Sequence, residues 1–430
     1  MPKTHSFASL WLTASLMLFQ SAHARGEEPV VEVVTQNGTV STANEGGASL
    51  LSPLPLHLVL SIDGGYDDNV QTSTTGRGSL YTDGKVTLSY DRKDVRTQVS
   101  LIAIAGGTYF EDATGTTPYD VDISLALVVS HKVSERLKLA ASIYGAYRTE
   151  PDLTSNVGLN NRQGPYFDTT DKFTATYHWT LRLATVPTFD FHRIQYESAA
   201  VAASINHSEY TFGDELRINL SSRTVLVPEY RFEMVNYDSF TAQDSTTHYA
   251  LIGIDEDFSL RLKFKVLCGA TFRSFRNDGS RTDPHFEGSL NYALAPRSSL
   301  SWRTTYGVEE NNASAVSRSG PMSPMSRVTF RTGLELNYAL SARISANVSA
   351  YYHHDENQAL ASMGTGQAGF PQDTYDLSLI LRYAISRRFT FDLGFQRSQA
   401  ISGQSSAQSS NQFTQPYSRG RYFAGLSFKY

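Results

Sequence analysis

Cysteine is nearly absent. The 430 residues include one, Cys268, so no disulfide within the chain can staple the fold. By the local alternation it falls on an apolar face with Phe264, Val266 and Ala270, where packing or contact with lipid suits it. Long apolar runs are missing after residue 24, and no segment shows convincing helical periodicity, which excludes helical membrane spans. Neither sign of charge dominates: 37 Lys and Arg stand against 42 Asp and Glu, and a net −5 argues against a nucleic-acid partner. The chain has no GxSxG elbow, CxxC pair or HExxH helix. Gly364-Thr365-Gly366-Gln367-Ala368-Gly369 spells a dinucleotide fingerprint. It lies mid-loop and runs into Phe370-Pro371 instead of opening a helix, so no cofactor is expected.

At the N-terminus, Lys3 and His5 precede a run from Phe7 to Phe19 broken only by Ser and Thr, and Ala22-His23-Ala24 offers a small-x-small cleavage site. Residues 1–24 therefore read as a secretory signal, too short to span a bilayer, with no cysteine after the cut for a lipid anchor. Residues 25–55, polar and marked by Pro53 and Pro55, read as a flexible periplasmic leader, and 56–430 as the folded body.

That body repeats itself. An apolar residue, a small Ser, Thr or Ala, any residue and Arg recur seven times, ending at Arg136, Arg182, Arg223, Arg261, Arg297, Arg343 and Arg388. Successive differences are 46, 41, 38, 36, 46 and 45, the size of one supersecondary unit copied along the chain. Between the phrases the period is two. Val328, Phe330, Thr332, Leu334, Leu336, Tyr338 and Leu340 alternate with Arg327, Thr329, Arg331, Gly333, Glu335 and Asn337, and after Ser341 the pattern resumes with Ile344, Ala346, Val348, Ala350 and Tyr352. Each repeat is a pair of long antiparallel strands. The first strand is Leu56 to Asp67 and the second Leu80 to Asp91, with an eighth tight turn, lacking the phrase, at Arg92 to Asp94. Eight turns plus a strand at each end give 18 strands, or 16 if Leu183 to Tyr210, which alternates poorly and contains Pro187, holds fewer.

The other strand ends pass through longer polar loops, among them Glu111 to Pro118, Glu150 to Asp168, Asn277 to Pro284, Asp355 to Asp373 and Ser402 to Ser418. Short turns at one end and long loops at the other are the anatomy of an outer-membrane barrel. Propeller blades need four short strands per repeat, and a soluble sandwich needs two apolar faces packed together; here the strands are about 10 to 13 residues long, as a tilted membrane strand requires. The final strand alternates Tyr422, Ala424, Leu426, Phe428 and Tyr430 with polar or small residues, resembling the C-terminal signal by which the barrel-assembly machinery recognises its clients. Because lipid offers no hydrogen-bond partners, the sheet must close, the last strand meeting the one at Leu56. Tyr81, Tyr90, Tyr109, Phe110, Trp179, Phe258, Tyr292, Tyr338, Phe389 and Tyr430 suit interfacial aromatic belts. The expected fold is an all-β, transmembrane, antiparallel up-and-down barrel.

The polar parity carries the charges. Lys263, Lys265, Arg273, Arg303, Arg331, Arg382 and Arg421 face inward, with Glu229, Glu233, Asp255, Glu335, Asp376 and Asp392 on the same surface as pore-lining candidates. Arg or Lys on the lipid face near mid-bilayer would cost roughly 2 to 4 kcal/mol, so confinement to one parity points to a wet interior. For each residue, bracing the wall by cross-strand pairing competes with solute selection. His353-His354-Asp355-Glu356 is the densest group of metal ligands, but neighbours on a strand point to opposite faces, and a solvated loop base is expected instead. Asp67-Asp68-Asn69 reads as turn chemistry before a divalent-ion site.

Gly65-Tyr66-Asp67-Asp68-Asn69-Val70, Glu287-Gly288-Ser289-Leu290-Asn291-Tyr292-Ala293-Leu294 leading to Arg297, Thr329-Phe330-Arg331-Thr332-Gly333-Leu334, and Asp376-Leu377-Ser378-Leu379 before Arg382-Tyr383-Ala384-Ile385 resemble the beta-barrel porin type 2 family of Gram-negative outer membranes. The resemblance runs from about Leu56 to Tyr430. It implies a barrel and a pore and supplies no catalytic or substrate-binding residues. The expectation is passive diffusion of small hydrophilic solutes, weakly favouring anions because inward Arg and Lys slightly outnumber Asp and Glu. The alternative is a plugged structural or adhesive barrel whose loops bind partners. The expected partners are membrane lipid, the assembly machinery and small solutes, with an oligomer allowed; no spacing identifies a nucleophile, base and orienting group, so no enzyme is expected.

Overall fold

The computed structural model describes residues 56–112, 118–150, 162–239, 241–276, 279–309, 325–359, 370–402 and 416–430. The expected signal, the leader and the glycine-rich 364–369 lie outside them. Eighteen strands follow in order: β1 (Leu56–Asp67), β2 (Ser79–Lys93), β3 (Thr97–Phe110), β4 (Tyr119–Lys132), β5 (Leu137–Arg148), β6 (Tyr166–His178), β7 (Leu183–Tyr196), β8 (His207–Asn219) and β9 (Thr224–Tyr237). The second half comprises β10 (Ser245–Asp257), β11 (Leu262–Phe275), β12 (Ser280–Ala295), β13 (Ser298–Glu309), β14 (Met325–Ala339), β15 (Ile344–Ala359), β16 (Phe370–Ala384), β17 (Phe389–Ser402) and β18 (Tyr417–Lys429). Each strand pairs antiparallel with the next, and β1 pairs with β18 through nine residues from Val59↔Lys429 to Asp67↔Arg421, so the sheet is a closed up-and-down barrel. Closure satisfies the edge groups that hydrocarbon cannot.

The alternation decides what each face meets. Leu60, Ile62, Leu80, Ile123, Ile252, Leu379 and Leu393 point outward and are 42–57% exposed, as no soluble core residue would be. A 13-residue strand at about 3.3 Å per residue, tilted about 40°, rises roughly 33 Å, enough to cross the apolar band. The protein is an integral outer-membrane barrel. Trp179, Phe258, Tyr338 and Phe389 lie exposed on the outside near the short turns, as a belt requires. Tyr81 and Phe110 do not belong to it. Tyr81 sits opposite Gly65 and Phe110 opposite Tyr81, on the inward parity, and both rings are buried with Val70.

The repeated phrase is a turn built on a hydroxyl. Ser134, Thr180, Ser221, Ser259, Ser341 and Ser386 each accept, through Oγ, the backbone N–H of the Arg two residues on and of the residue after it, at 3.0–3.2 Å. The side chain thus satisfies donors that a tight turn would leave unpaired. The expected eighth turn is displaced by two residues, to Asp94-Val95-Arg96, where Asp94 N–H donates to Thr97 O as Ser134 N–H does to Leu137 O. A carboxylate stands where the other turns carry a hydroxyl, which is why the phrase is hidden there. The carbonyls of Arg96, Arg136, Arg182, Arg223, Arg261, Arg343 and Arg388 accept the N–H at the end of the strand beyond, for example His178 N to Arg136 O at 2.8 Å. At the remaining turn, after a register shift between Ala293 and Ala295, Ser298 Oγ accepts Ala339 N–H instead.

Two loop expectations give way to regular structure. Residues 353–356 are inside β15 and 280–284 inside β12, because the strands run past the bilayer before turning. Between β7 and β8 stands a seven-residue helix, α1 (Ala199–Ile205), where no helix was expected. It is too short to declare a period, and it exists because Val201 and Ile205 bury against Tyr166, Ile194 and Tyr196.

Candidate functional site

Cross-strand register puts all thirteen inward candidates on the concave face: Lys265 pairs with Asp255 and Ser289, Ser289 with Arg303, and Arg303 with Gly333 between Arg331 and Glu335. The line continues through Asp376, then Arg382 opposite Asp392, to Asp392 opposite Gly425 on the strand that carries Arg421. Most engage a partner. Arg382 grips Asp392 at 2.9 Å, Arg217 grips Asp255 at 2.7 Å, Lys265 bonds Glu215 at 3.1 Å, and Arg231 bridges Glu229 to Glu287. Arg331 pairs with Glu309, Tyr351 donates to Glu335, Tyr249 to Glu233, Ser398 to Asp376, and Arg273 to Ser245. Some of these contacts tie adjacent strands, as Arg382–Asp392 ties β16 to β17, and others reach farther round the wall, as Lys265–Glu215 does from β11 to β8.

Lys265, Arg303 and Arg331 nevertheless converge with Glu287, Glu335 and Tyr351 on one recess of about 240 Å³ in the wall of β11–β15. Among its lining side chains, three guanidinium or ammonium groups and two carboxylates stand beside Thr and Ser hydroxyls. Such a surface can hold a small carboxylate or phosphate by charge-assisted hydrogen bonds.

A second constellation stands at the long-loop end. Arg419 of β18, buried, donates to Asp67 of β1 at 2.6 Å and to Glu150 beyond β5 at 2.6 Å, while Arg421 pairs with Asp67 at 2.9 Å. Arg162, from the same β5–β6 connection as Glu150, pairs with Asp120 of β4, lies 3.7 Å from Glu150, donates through its guanidinium to Val70 O at 3.2 Å, and donates its backbone N–H to Thr72 Oγ1 at 2.7 Å. The β1–β2 and β5–β6 connections are therefore locked to each other and to inward side chains of β18, β1 and β4 at the outer mouth. Burial pushes the Glu150 carboxyl up, against the pull of Arg419. Burial and the nearby Arg419 charge bring the Arg162 guanidinium down to about 9, still protonated at neutral pH. Gly65 makes room for this arrangement. A β-carbon there would fall 2.2 Å from the Tyr422 carbonyl oxygen and 2.7 Å from the Tyr81 ring, and that ring lies 4.5 Å beneath the Arg421 guanidinium. Asp67 is thus an ion-pair centre. Its turn role survives in one bond, Asn69 N–H to Oδ1 at 3.0 Å.

Strand parity would have supplied Arg419, two residues from Arg421, whereas nothing periodic marks Glu150 or Arg162. His353 and Asp355 turn inward and are buried, and His354 turns outward to Asp373 at 2.8 Å, so the expected solvated loop base is a strand with its ligands split between faces. Cys268 is on the exposed outer face.

No family model matches the chain, and no curated protein does. Among solved structures, the chain is similar to OpdK with vanillate from Pseudomonas aeruginosa, at 11% identity over 87% of this chain and 99% of that one, with a TM-score of 0.44. It is also similar to OccAB3 from Acinetobacter baumannii (11%, 87% and 99%, 0.42) and to the siderophore receptor PirA from P. aeruginosa (10%, 87% and 80%, 0.40). The closed pairing of 18 strands stands independently of these likenesses.

Proposed function

We propose that the protein is a channel of the type 2 β-barrel porin kind, through which small hydrophilic solutes diffuse passively, with a mild preference for anions. The observation that carries this reading is the charged recess of Lys265, Arg303 and Arg331 on the concave wall of a barrel whose outer face is apolar. An 18-strand barrel is wide enough for a lumen that its own side chains do not fill. Charged rings and loop residues at the narrowest level then set selectivity. The thirteen inward candidates serve both as braces and as lining, and the Glu150 and Arg162 side chains sit at the mouth. On the same reading residues 1–24 direct export and are removed, and the strand ending at Tyr430 is the handle for the assembly machinery.

The test is planar-bilayer recording of the refolded protein. Discrete steps with a reversal potential favouring chloride in a potassium chloride gradient are expected, shifting towards cation preference in the triple variant Lys265→Gln, Arg303→Gln, Arg331→Gln. Absence of steps from a folded barrel would overturn the channel. The buried Asp67–Arg419–Glu150 lock favours the second reading, a closed structural barrel whose loops bind partners. On that reading, deleting loop residues abolishes attachment while permeability stays at background.

A further inference from the structure

His192 of β7 and His207 and Glu209 of β8 converge on the inner wall at the long-loop end, and nothing in the channel reading uses them. His192 sits directly opposite Glu209 in the β7–β8 register. The potential ligand atoms of the three side chains all lie within 4.8 Å of one another. Glu209 Oε1 is 2.8 Å from His207 Nε2 and 3.1 Å from His192 Nδ1. Two ring nitrogens thus address one carboxylate oxygen.

The other side of the His207 ring fixes what these contacts mean. Its Nδ1 lies 2.6 Å from the carbonyl oxygen of Ile205, which only accepts, so Nδ1 carries the hydrogen. In the neutral ring Nε2 then presents a lone pair to the carboxylate, so the 2.8 Å contact calls for either a second proton on the ring or a cation between the two. Neutral imidazole held by an N–H to a backbone carbonyl, with the other nitrogen facing inward, is how metal-ligating histidines are preset. The carbonyl is supplied by the last residue of α1, the helix held by burial of Val201 and Ile205 against Tyr166, Ile194 and Tyr196. Tyr237 stacks on the same imidazole at 4.8 Å and holds its plane.

The geometry points to a divalent transition-metal site of two imidazoles and one carboxylate, His192, His207 and Glu209, selective for a Zn²⁺-like cation and open to the lumen at its fourth position. Bonds of about 2.0 to 2.2 Å in a tetrahedron place ligand atoms roughly 3.3 Å apart, so the 2.8 and 3.1 Å contacts need to open by a few tenths of an ångström and the two imidazole nitrogens, within 4.8 Å of each other, to settle at the same separation. Imidazole nitrogen favours zinc, cobalt, nickel or copper over the hard cations magnesium and calcium. A bound ion joins β7 to β8 beneath α1 and places a fixed double charge at the outer mouth. This site stands whether the lumen conducts or not.

Calorimetric titration of the tag-free, full-length, detergent-folded barrel with Zn²⁺ near neutral pH tests it, with Co²⁺ absorption as a second readout. One ion per barrel is expected, with the intense visible bands of low-coordinate Co²⁺ and no competition from excess Mg²⁺. Affinity should fall as pH drops through the imidazole range, since protons and metal compete for the same lone pairs. His192→Ala and Glu209→Gln should each weaken binding by more than the roughly 10- to 100-fold that loss of an outer partner costs. His354→Ala, on the outer face, should leave it unchanged. Circular dichroism confirms that each variant is folded; if His207→Ala does not fold, His192→Ala and Glu209→Gln decide. A folded wild type that binds no Zn²⁺, or binding that survives His192→Ala and Glu209→Gln together, would overturn the site and leave a protonated imidazole pair on a carboxylate.

Discussion

Arg419→Met removes one guanidinium from the outer-mouth lock and spares its volume. Asp67 then keeps Arg421 at 2.9 Å, but Glu150 is left with Arg162 at 3.7 Å as its remaining cation in that cluster. Glu150 and Asp67 side chains are 7% and 0% exposed, so the orphaned charge has no water to turn to in the docked arrangement. Breaking one side of such a buried pair costs about 3 to 5 kcal/mol, a factor of roughly a hundred to a few thousand in the balance between docked and undocked loop. The hold of Glu150 and Arg162 on the mouth should therefore loosen, giving larger and noisier single-channel currents. Adding Glu150→Gln removes the stranded charge. Because replacing both partners of a buried pair is near neutral, the double variant should return much of the way to wild-type conductance and to wild-type resistance to urea. If Arg419→Met conducts with the amplitude and noise of the wild type, or if Glu150→Gln worsens it, the lock does not hold the loop.

The remaining expectations concern the wall, the turns and pH. In a background lacking Cys268, single cysteines along Val328 to Leu340 should react with aqueous thiol reagents at odd positions and resist at even ones; equal labelling would contradict an aqueous interior. Ile62→Arg, on the outer face, should destabilise the folded barrel by roughly 2 to 4 kcal/mol in urea titrations, whereas Ser61→Arg on the inner face should cost far less. Ser341→Ala strands two turn N–H groups and should cost about 1 kcal/mol, while Ser341→Asp, copying Asp94, should hold wild-type stability. Burial raises the Glu150 carboxyl, so as pH falls it takes up its proton before ordinary glutamates do, and the mouth becomes more positive. Anion preference should accordingly rise with acidification from above the usual glutamate range, and Glu150→Gln should flatten that part of the curve.

Strand existence and facing were readable because both depend on a period of two, which the burial along β2 follows. Turns were readable where a hydroxyl marks them and hidden at Asp94, where the same backbone bond closes the turn without the phrase. Strand ends were misplaced at His353 and Ser280, since pairing continues beyond the lipid band that shapes the hydrophobic pattern. The inward parity contained the recess residues Lys265, Arg303 and Arg331 without saying that they meet, because that depends on stagger between strands. The lock was illegible for a different reason: Glu150 and Arg162 come from a connection with no period, and Arg419 lies 269 residues from Glu150. The His192, His207 and Glu209 group needed the β7–β8 register before its members could be seen as neighbours.

The eight turns have a mechanical consequence. Each is tied to the strand beyond it, seven through an arginine carbonyl and the eighth through Ser298 Oγ, and Leu58 and Tyr430 exchange backbone bonds across the seam. The inner rim is therefore a hoop with no free link, and its bore cannot widen without breaking several ties together. The opposite rim adds side-chain clasps from Arg419 and Arg162 to backbone ties such as Asp68 N–H to Gly420 O and Asp238 N–H to Asn206 O. Any loosening of the wall at that end therefore works against a base of constant diameter.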